Sequence, residues 1–108
     1  MRKASLAAML EAGLAAACLL SAGGSEARTI RVRMVDMAFE PAAIAAAAGD
    51  VVEWSNEDFV DHTATGSDGS FDVVIPAGKH RSVTLKQAGL VPYVCRFHPT
   101  MTGTITVE

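Results

Sequence analysis

The feature that most constrains the fold of this chain is a group of three soft or borderline donor side chains near its C-terminus. Cys95, His98 and Met101 follow one another at intervals of three residues. Because alternate side chains of a strand share a face, Tyr93 and Cys95 are predicted to point inward at the end of a strand, directly before a turn. Such a loop can supply three ligands to one metal ion, but it cannot surround that ion. The chain must therefore bring a second loop to this one.

The second loop is predicted around His62, in a stretch rich in turn-forming residues from 56 to 69. Two histidines and a cysteine, with a weak methionine, form the ligand set of blue-copper electron-transfer sites. Other metals fit less well, because structural zinc prefers four Cys or His ligands, calcium and magnesium prefer oxygen, and an iron–sulfur cluster needs more cysteines. These donor types therefore favour copper.

The N-terminal part of the chain has the pattern of a secretory signal peptide. A basic start at residues 1–3 precedes an apolar stretch from 6 to 20, and small residues follow that end in Ser25-Glu26-Ala27. This pattern predicts a signal peptide over residues 1–27 that is cleaved after Ala27. A permanent membrane anchor and lipid attachment at Cys18 are the weaker alternatives. Cleavage leaves Cys95 without a disulfide partner in its own chain, which favours metal binding by this thiol.

The remaining domain, residues 28–108, has about 80 residues and is close to the lower size limit for a self-sufficient core. Apolar and polar side chains alternate from 29 to 37, which is typical of a half-buried strand. Further short strands are predicted around Ile44 and over residues 51–54, 71–75, 82–85, 91–95 and 104–107. About seven short strands with Gly and Pro turns predict an all-β sandwich, with Phe39, Trp54 and Tyr93 as core aromatics.

The charge of the chain argues against one class of partner. Its formal net charge is −3 and its sequence contains no basic stripe, so nothing in it predicts binding to nucleic acid.

Simpler interpretations of single residues stay open. Cys95 could be a buried core thiol, and Met101 could be an apolar side chain that only fills the core. His80 has no partner motif and is predicted to be exposed and not a ligand.

The motifs of this sequence resemble those of a known protein family. The segment from Val91 to Ile105, with its short Cys-x2-His-x2-Met loop, resembles the C-terminal signature of the cupredoxins, and it looks most like the amicyanins among them. Upstream motifs follow the order usual in that family: Phe39-x-Pro41, then Gly-Asp-Val-Val-x-Trp-x-Asn from 49 to 56, Asp61-His62-Thr63 and Phe71-Asp72. The resemblance covers essentially all of residues 28–108.

The resemblance implies a Greek-key β-sandwich that binds one type 1 copper ion through His62, Cys95, His98 and Met101. It implies a periplasmic protein that shuttles single electrons between redox proteins, for which an amine dehydrogenase and a c-type cytochrome are the candidates. We expect a monomer without a stable membrane span that is not an enzyme. In many cupredoxins an asparagine follows the first histidine ligand, whereas this chain has Thr63, whose hydroxyl can take over that hydrogen bond.

The resemblance also implies that partners dock near His98. The apolar surface around this residue is expected to contain Phe97, Pro99, and Pro92 or Met37.

Two other functions stay open. A copper carrier without an electron-transfer role would be expected to have further Met or His clusters, and few are present beyond Met34 and Met37. An enzyme with Cys95 as nucleophile and His98 as base would need a third orienting residue, for which the sequence has no clear candidate.

Overall fold

The computed structural model describes residues 26–108. The predicted signal peptide therefore lies almost entirely outside the described residues. Within the part of the chain that is described, no helix is long and apolar enough to cross a membrane.

Residues 26–108 form nine strands and no helix. The strands are β1 (Thr29–Val35), β2 (Ala38–Glu40), β3 (Ala43–Ala46), β4 (Val51–Asn56), β5 (His62–Gly66), β6 (Asp72–Ile75), β7 (His80–Thr84), β8 (Gly89–Cys95) and β9 (His98–Val107). They make a four-stranded sheet in the order β2-β1-β4-β7 and a five-stranded sheet in the order β3-β9-β8-β5-β6. The prediction of an all-β sandwich is confirmed.

Two of these strands, β2 and β5, were not expected from the sequence. A two-residue turn at Asp36 and Met37 connects β1 to β2, and both residues have positive φ, at 53° and 61°. This is the geometry of a tight hairpin turn, which usually selects glycine or asparagine, so the sequence does not signal it. β5 lies in a stretch of turn-forming residues and gains its extended conformation by pairing with both β6 and β8.

Four aromatic side chains fill the core between the sheets: Phe39, Trp54, Phe71 and Tyr93. Trp54 Nε1 donates a hydrogen bond of 3.2 Å to the Tyr93 hydroxyl, and the Phe39 and Tyr93 ring centroids are 4.6 Å apart. The predicted core positions of Phe39, Trp54 and Tyr93 are confirmed, since each is at most 2% exposed. Gly103 lies directly against the Tyr93 ring, because a Cβ at this position would be 2.7 Å from Tyr93 Cζ.

The five-stranded sheet brings the predicted ligands to one end of the sandwich. β5 begins at His62, β8 ends at Cys95 and β9 begins at His98. Because β8 is antiparallel to both β5 and β9, these three strand termini lie at the same edge. The register of the sheet thus places residues distant in sequence next to one another.

Candidate metal centre

Three donor side chains meet at this end of the sandwich: His62, Cys95 and His98. The two Nδ1 atoms of the histidines are 3.2 Å apart, and Cys95 Sγ lies 3.7 Å from His62 Nδ1 and 3.6 Å from His98 Nδ1. The three atoms form a nearly equilateral triangle. His62 and Cys95 are fully buried, whereas His98 is half-buried.

The dimensions of this triangle fit a metal ion at its centre. Bond lengths of about 2.0 Å to nitrogen and about 2.3 Å to sulfur, arranged trigonally, require donor separations of about 3.5 Å between nitrogens and about 3.7 Å between nitrogen and sulfur. The observed separations of 3.2, 3.6 and 3.7 Å match these values closely. Two imidazoles and one thiolate in a trigonal arrangement are the donor set of blue-copper sites.

The spacing of Cys95 and His98 reflects a hairpin. The two residues face each other across a two-residue turn formed by Arg96 and Phe97. The next pair on these strands is Val94 with Thr102, so residues 99–101 have no partner on β8 and form a bulge. Met101 lies in this bulge with its side chain buried at 2% exposure, on the inward side together with Ile105 and Val107.

The orientation of His62 is set by Asp58, a residue that the sequence analysis did not single out. His62 Nε2 donates to Asp58 Oδ2 at 2.8 Å. Because the proton is then on Nε2, the lone pair of Nδ1 points toward Cys95 Sγ and His98 Nδ1. Carboxylates that accept from the remote nitrogen of a ligating histidine fix its tautomer and ring orientation.

Asp58 is itself held by the turn between β1 and β2. Its carboxylate accepts hydrogen bonds from the amides of Asp36 at 2.8 Å and Met37 at 3.0 Å. Burial by itself would raise the pKa of Asp58, but the hydrogen bonds from His62 and the two amides outweigh burial and lower this pKa below its usual value. The carboxylate therefore stays charged and links the β1–β2 turn to a predicted metal ligand.

Thr63 connects the two loops that carry the donors. Its amide donates to Cys95 Sγ at 3.3 Å, and its hydroxyl accepts from the Arg96 amide at 2.7 Å. The hydroxyl also lies 3.0 Å from the hydroxyl of Thr65, which donates to Asp72 at 2.8 Å. Thr63 thus makes the expected hydrogen bond between the two loops, although many cupredoxins have asparagine at this position.

Comparison with known proteins identifies the family of this chain. Residues 6–107 match the family model described as a cupredoxin-like domain. The chain belongs to the cupredoxin-like family.

Several amicyanins are among the proteins that this cupredoxin resembles. It is 30% identical to amicyanin-alpha of Methylorubrum extorquens over 103 residues, which covers 90% of this chain and 87% of that protein. It resembles the reduced state of an amicyanin variant with a TM-score of 0.65 and 29% identity, over 74% of this chain and 82% of the other. The Cu(I) form of another amicyanin variant matches with a TM-score of 0.66 and 27% identity, over 81% and 88% of the two chains.

The loops that carry or flank the donors of this cupredoxin expose four large apolar side chains. Phe97 is 47% exposed in the β8–β9 turn and Met37 is 44% exposed in the β1–β2 turn. The β4–β5 loop adds Phe59 at 99% exposure and Val60 at 45% exposure. We call these four residues the apolar rim. Phe59 and Val60 were not anticipated, and their only sequence signal is an apolar pair among the charged and polar residues of 57–63.

Several other residues lie away from the donor triangle. Of the two alternatives for the surface near His98, Pro92 is exposed within β8 opposite Thr104, and Met37 is exposed in the β1–β2 turn. His80 lies at the start of β7, opposite Ser55, and its predicted exposure is confirmed. Met34 is fully buried in the core.

Proposed function

We propose that this cupredoxin is a type 1 copper protein that carries single electrons between redox partners in the periplasm. The observation that carries the proposal is the triangle of two Nδ1 atoms and one Sγ, with sides of 3.2, 3.6 and 3.7 Å. When bound, copper supplies a one-electron couple between Cu(I) and Cu(II). The role of the protein is to hold the donors in one arrangement for both oxidation states.

The hydrogen bonds of the site support this role. Asp58 holds the ring of His62, and the amide of Thr63 donates to Cys95 Sγ. Both donors are buried at strand termini, where hydrogen bonds from neighbouring residues hold them. A site that is organised in advance needs little rearrangement when its charge changes, which favours rapid electron exchange.

We assign the four ligands as His62, Cys95, His98 and Met101. Met101 is the weak axial donor in this assignment. Its support is its place in the bulge directly after His98 and its inward, buried side chain. The affinity of thioethers for copper agrees with this role.

We place the docking surface for redox partners at the apolar rim around His98. His98 is the least buried of the three donors, so it is the natural exit for an electron. Weak redox encounters use interfaces below about 1,200 Å², which a rim of a few side chains on a small domain can supply. The amicyanin relationship makes an amine dehydrogenase and a c-type cytochrome the first partners to test.

The spectrum of the copper-loaded domain tests the assignment. Residues 28–108 should give an intense thiolate-to-copper band and a narrow hyperfine splitting in electron spin resonance. Replacement of the sulfur donor in Cys95→Ser should abolish the band, while His80→Ala, at an exposed histidine, should not change it. A pale, ordinary Cu(II) spectrum of the unmodified domain would contradict the type 1 assignment.

Stopped-flow exchange tests the path of the electron. Phe59→Ser should slow exchange with a c-type cytochrome but not with a small inorganic redox complex, while leaving the spectrum unchanged. His98→Gly loaded with copper and imidazole should recover the colour and exchange more slowly. If the cytochrome does not exchange electrons with the blue protein at all, while copper passes readily to an apo-protein, the function is copper carriage instead.

A further inference from the structure

Asp50 is a nearly buried carboxylate at the opposite end of the domain from the donor triangle. It is 3% exposed and accepts three hydrogen bonds. Its Oδ1 accepts from the Arg28 amide nitrogen at 2.9 Å, and its Oδ2 accepts from the Ala47 amide at 2.9 Å and from the Arg28 guanidinium at 3.1 Å. The amides of Arg28 and Ala47 lower the pKa of Asp50, so the carboxylate is charged at neutral pH.

Arg28 is also the place where the ordered hydrogen bonding of the domain begins. Its carbonyl accepts from the Val51 amide at 2.8 Å, directly before β1 pairs with β4. Glu26 and Ala27, which precede it, are exposed. The predicted signal cleavage after Ala27 would therefore cut at the boundary between the exposed segment and the sheet.

We propose that Asp50 is the binding site for the α-ammonium group that cleavage after Ala27 creates on Arg28. Hydrolysis adds one water molecule across the Ala27–Arg28 peptide bond, leaving a carboxylate on Ala27 and an ammonium on Arg28. The nitrogen that becomes charged is the one that lies 2.9 Å from Asp50 Oδ1. Maturation converts a neutral amide donor into a cationic donor at a buried anion.

This change strengthens the contact without moving the chain. The bond from the amide already has a charged acceptor, and a charged donor adds the Coulomb attraction between two opposite unit charges, about 1 kcal/mol at 4 Å even in bulk water. A partly buried pair is also screened less by salt than an exposed one. The mature domain is therefore more stable than the same domain with its N-terminus blocked or extended, and processing contributes to the stability of the folded product.

The contact has a characteristic pH dependence. The ordinary pKa of an α-amino group is about 7.7–8.0 and is raised by a neighbouring buried carboxylate. The stabilisation is then complete below that ordinary value and is lost as the pH rises through the higher value in the folded state. The other charged groups in neighbouring segments are the Arg28 guanidinium, Lys86 after the Leu85 that pairs with Asp50, and Glu108, whose backbone pairs with Ala46 and Ala48.

Asp50 lies far from the donor triangle, so a change at the N-terminus can be tested independently of the metal centre. Asp50 precedes β4, whereas the loop that carries Asp58 follows the six residues of that strand. At about 3.3 Å per residue the two ends are about 20 Å apart. Changes at the N-terminus should therefore leave the colour of the copper form unaltered.

The test begins with export of the full chain and measurement of the mass of the mature protein. The expected mass is that of residues 28–108, and a cut elsewhere would overturn the proposal. Purified 28–108 with a free amine is then compared with the same chain acetylated on Arg28 and with a chain that retains Glu26 and Ala27. Denaturant unfolding is followed from about pH 6 to about pH 11, in metal-free and copper-loaded protein.

The free-amine form should have an unfolding constant smaller by about fivefold to tenfold at pH 7, and this advantage should vanish near pH 10–11. Equal stability of the three forms at pH 7, or an advantage that does not change with pH, would overturn the proposal. Asp50→Asn should remove the difference between the forms. If that variant does not fold, the pKa of the α-amine, measured from its rate of reductive methylation in the unmodified protein, decides, since an ordinary value contradicts the contact.

Discussion

The hydroxyl of Thr63 offers the sharpest test of how the two donor loops are held together. Thr63 is fully buried, and its hydroxyl accepts the Arg96 amide at 2.7 Å. Thr63→Val keeps the shape of the side chain but removes this acceptor. The Arg96 amide is then left without a partner inside the protein, which costs about 1–3 kcal/mol.

The loss of this hydrogen bond should be measurable both at the Arg96 amide itself and in the stability of the whole domain. Since each 1.4 kcal/mol is a factor of ten, hydrogen exchange at the Arg96 amide should accelerate by about 5- to 150-fold. The unfolding free energy from urea titration of the metal-free domain should fall by about 1–3 kcal/mol. Copper should also dissociate faster, because the turn that connects Cys95 to His98 is less restrained.

Thr63→Ser is the matched control, because it keeps the hydroxyl and loses only a methyl group. It should lower stability by about 1 kcal/mol while Arg96 keeps its protection from exchange. The reasoning would be refuted if the Arg96 amide stayed protected in Thr63→Val, or if the serine variant lost protection to the same extent.

Three further predictions concern the charge, packing and titration of neighbouring residues. His62 and the two turn amides together use both oxygens of the Asp58 carboxylate, and Asp58→Asn leaves only one oxygen that can accept. The metal affinity measured by competition with a chelator should therefore fall by about 10- to 100-fold. The control Asp61→Asn, at a carboxylate that accepts from the Ala77 amide, should have little effect. Gly103→Ala pushes a methyl group against Tyr93, 2.7 Å from its Cζ, and should lower the unfolding free energy by about 1–3 kcal/mol; unchanged denaturation curves would contradict this packing. Burial raises the pKa of Tyr93 from 10.0 to about 12. The stability that depends on the neutral Tyr93 phenol is therefore complete below pH 10 and is lost as the pH rises toward 12. Because Tyr93 is the only tyrosine, absorbance at alkaline pH reports it directly, and a midpoint near 10 in the folded protein would contradict its burial.

The fold was predictable wherever side chains alternate between a buried and an exposed face. Thr29–Val35 and Gly89–Cys95 have this pattern, and both form strands close to the predicted bounds. His62–Gly66 has no such pattern, because four of its five residues are buried. It becomes a strand because β6 and β8 satisfy its backbone hydrogen bonds, and that pairing depends on distant residues.

The site was predictable to a similar degree. The interval from Cys95 to His98 is local and corresponds to a two-residue hairpin turn, so the sequence alone indicated that these donors share a loop. The roles of Asp58 and Phe59 could not be predicted in the same way. Asp58 acquires its role from amides 21 and 22 residues earlier in the chain, and Phe59 from its full exposure beside the donor loops.

The sequence by itself therefore determined the donor types, their spacing in the C-terminal loop and the all-β class, because these depend on residue chemistry and on periodicity over short stretches. Only the tertiary structure decided that His62 meets Cys95 and His98 in a triangle, with Asp58 and Thr63 holding its corners. The physical reason is that this triangle rests on the register between β5, β8 and β9. Register is set by packing and hydrogen bonding across the whole sandwich, which no short stretch of sequence contains.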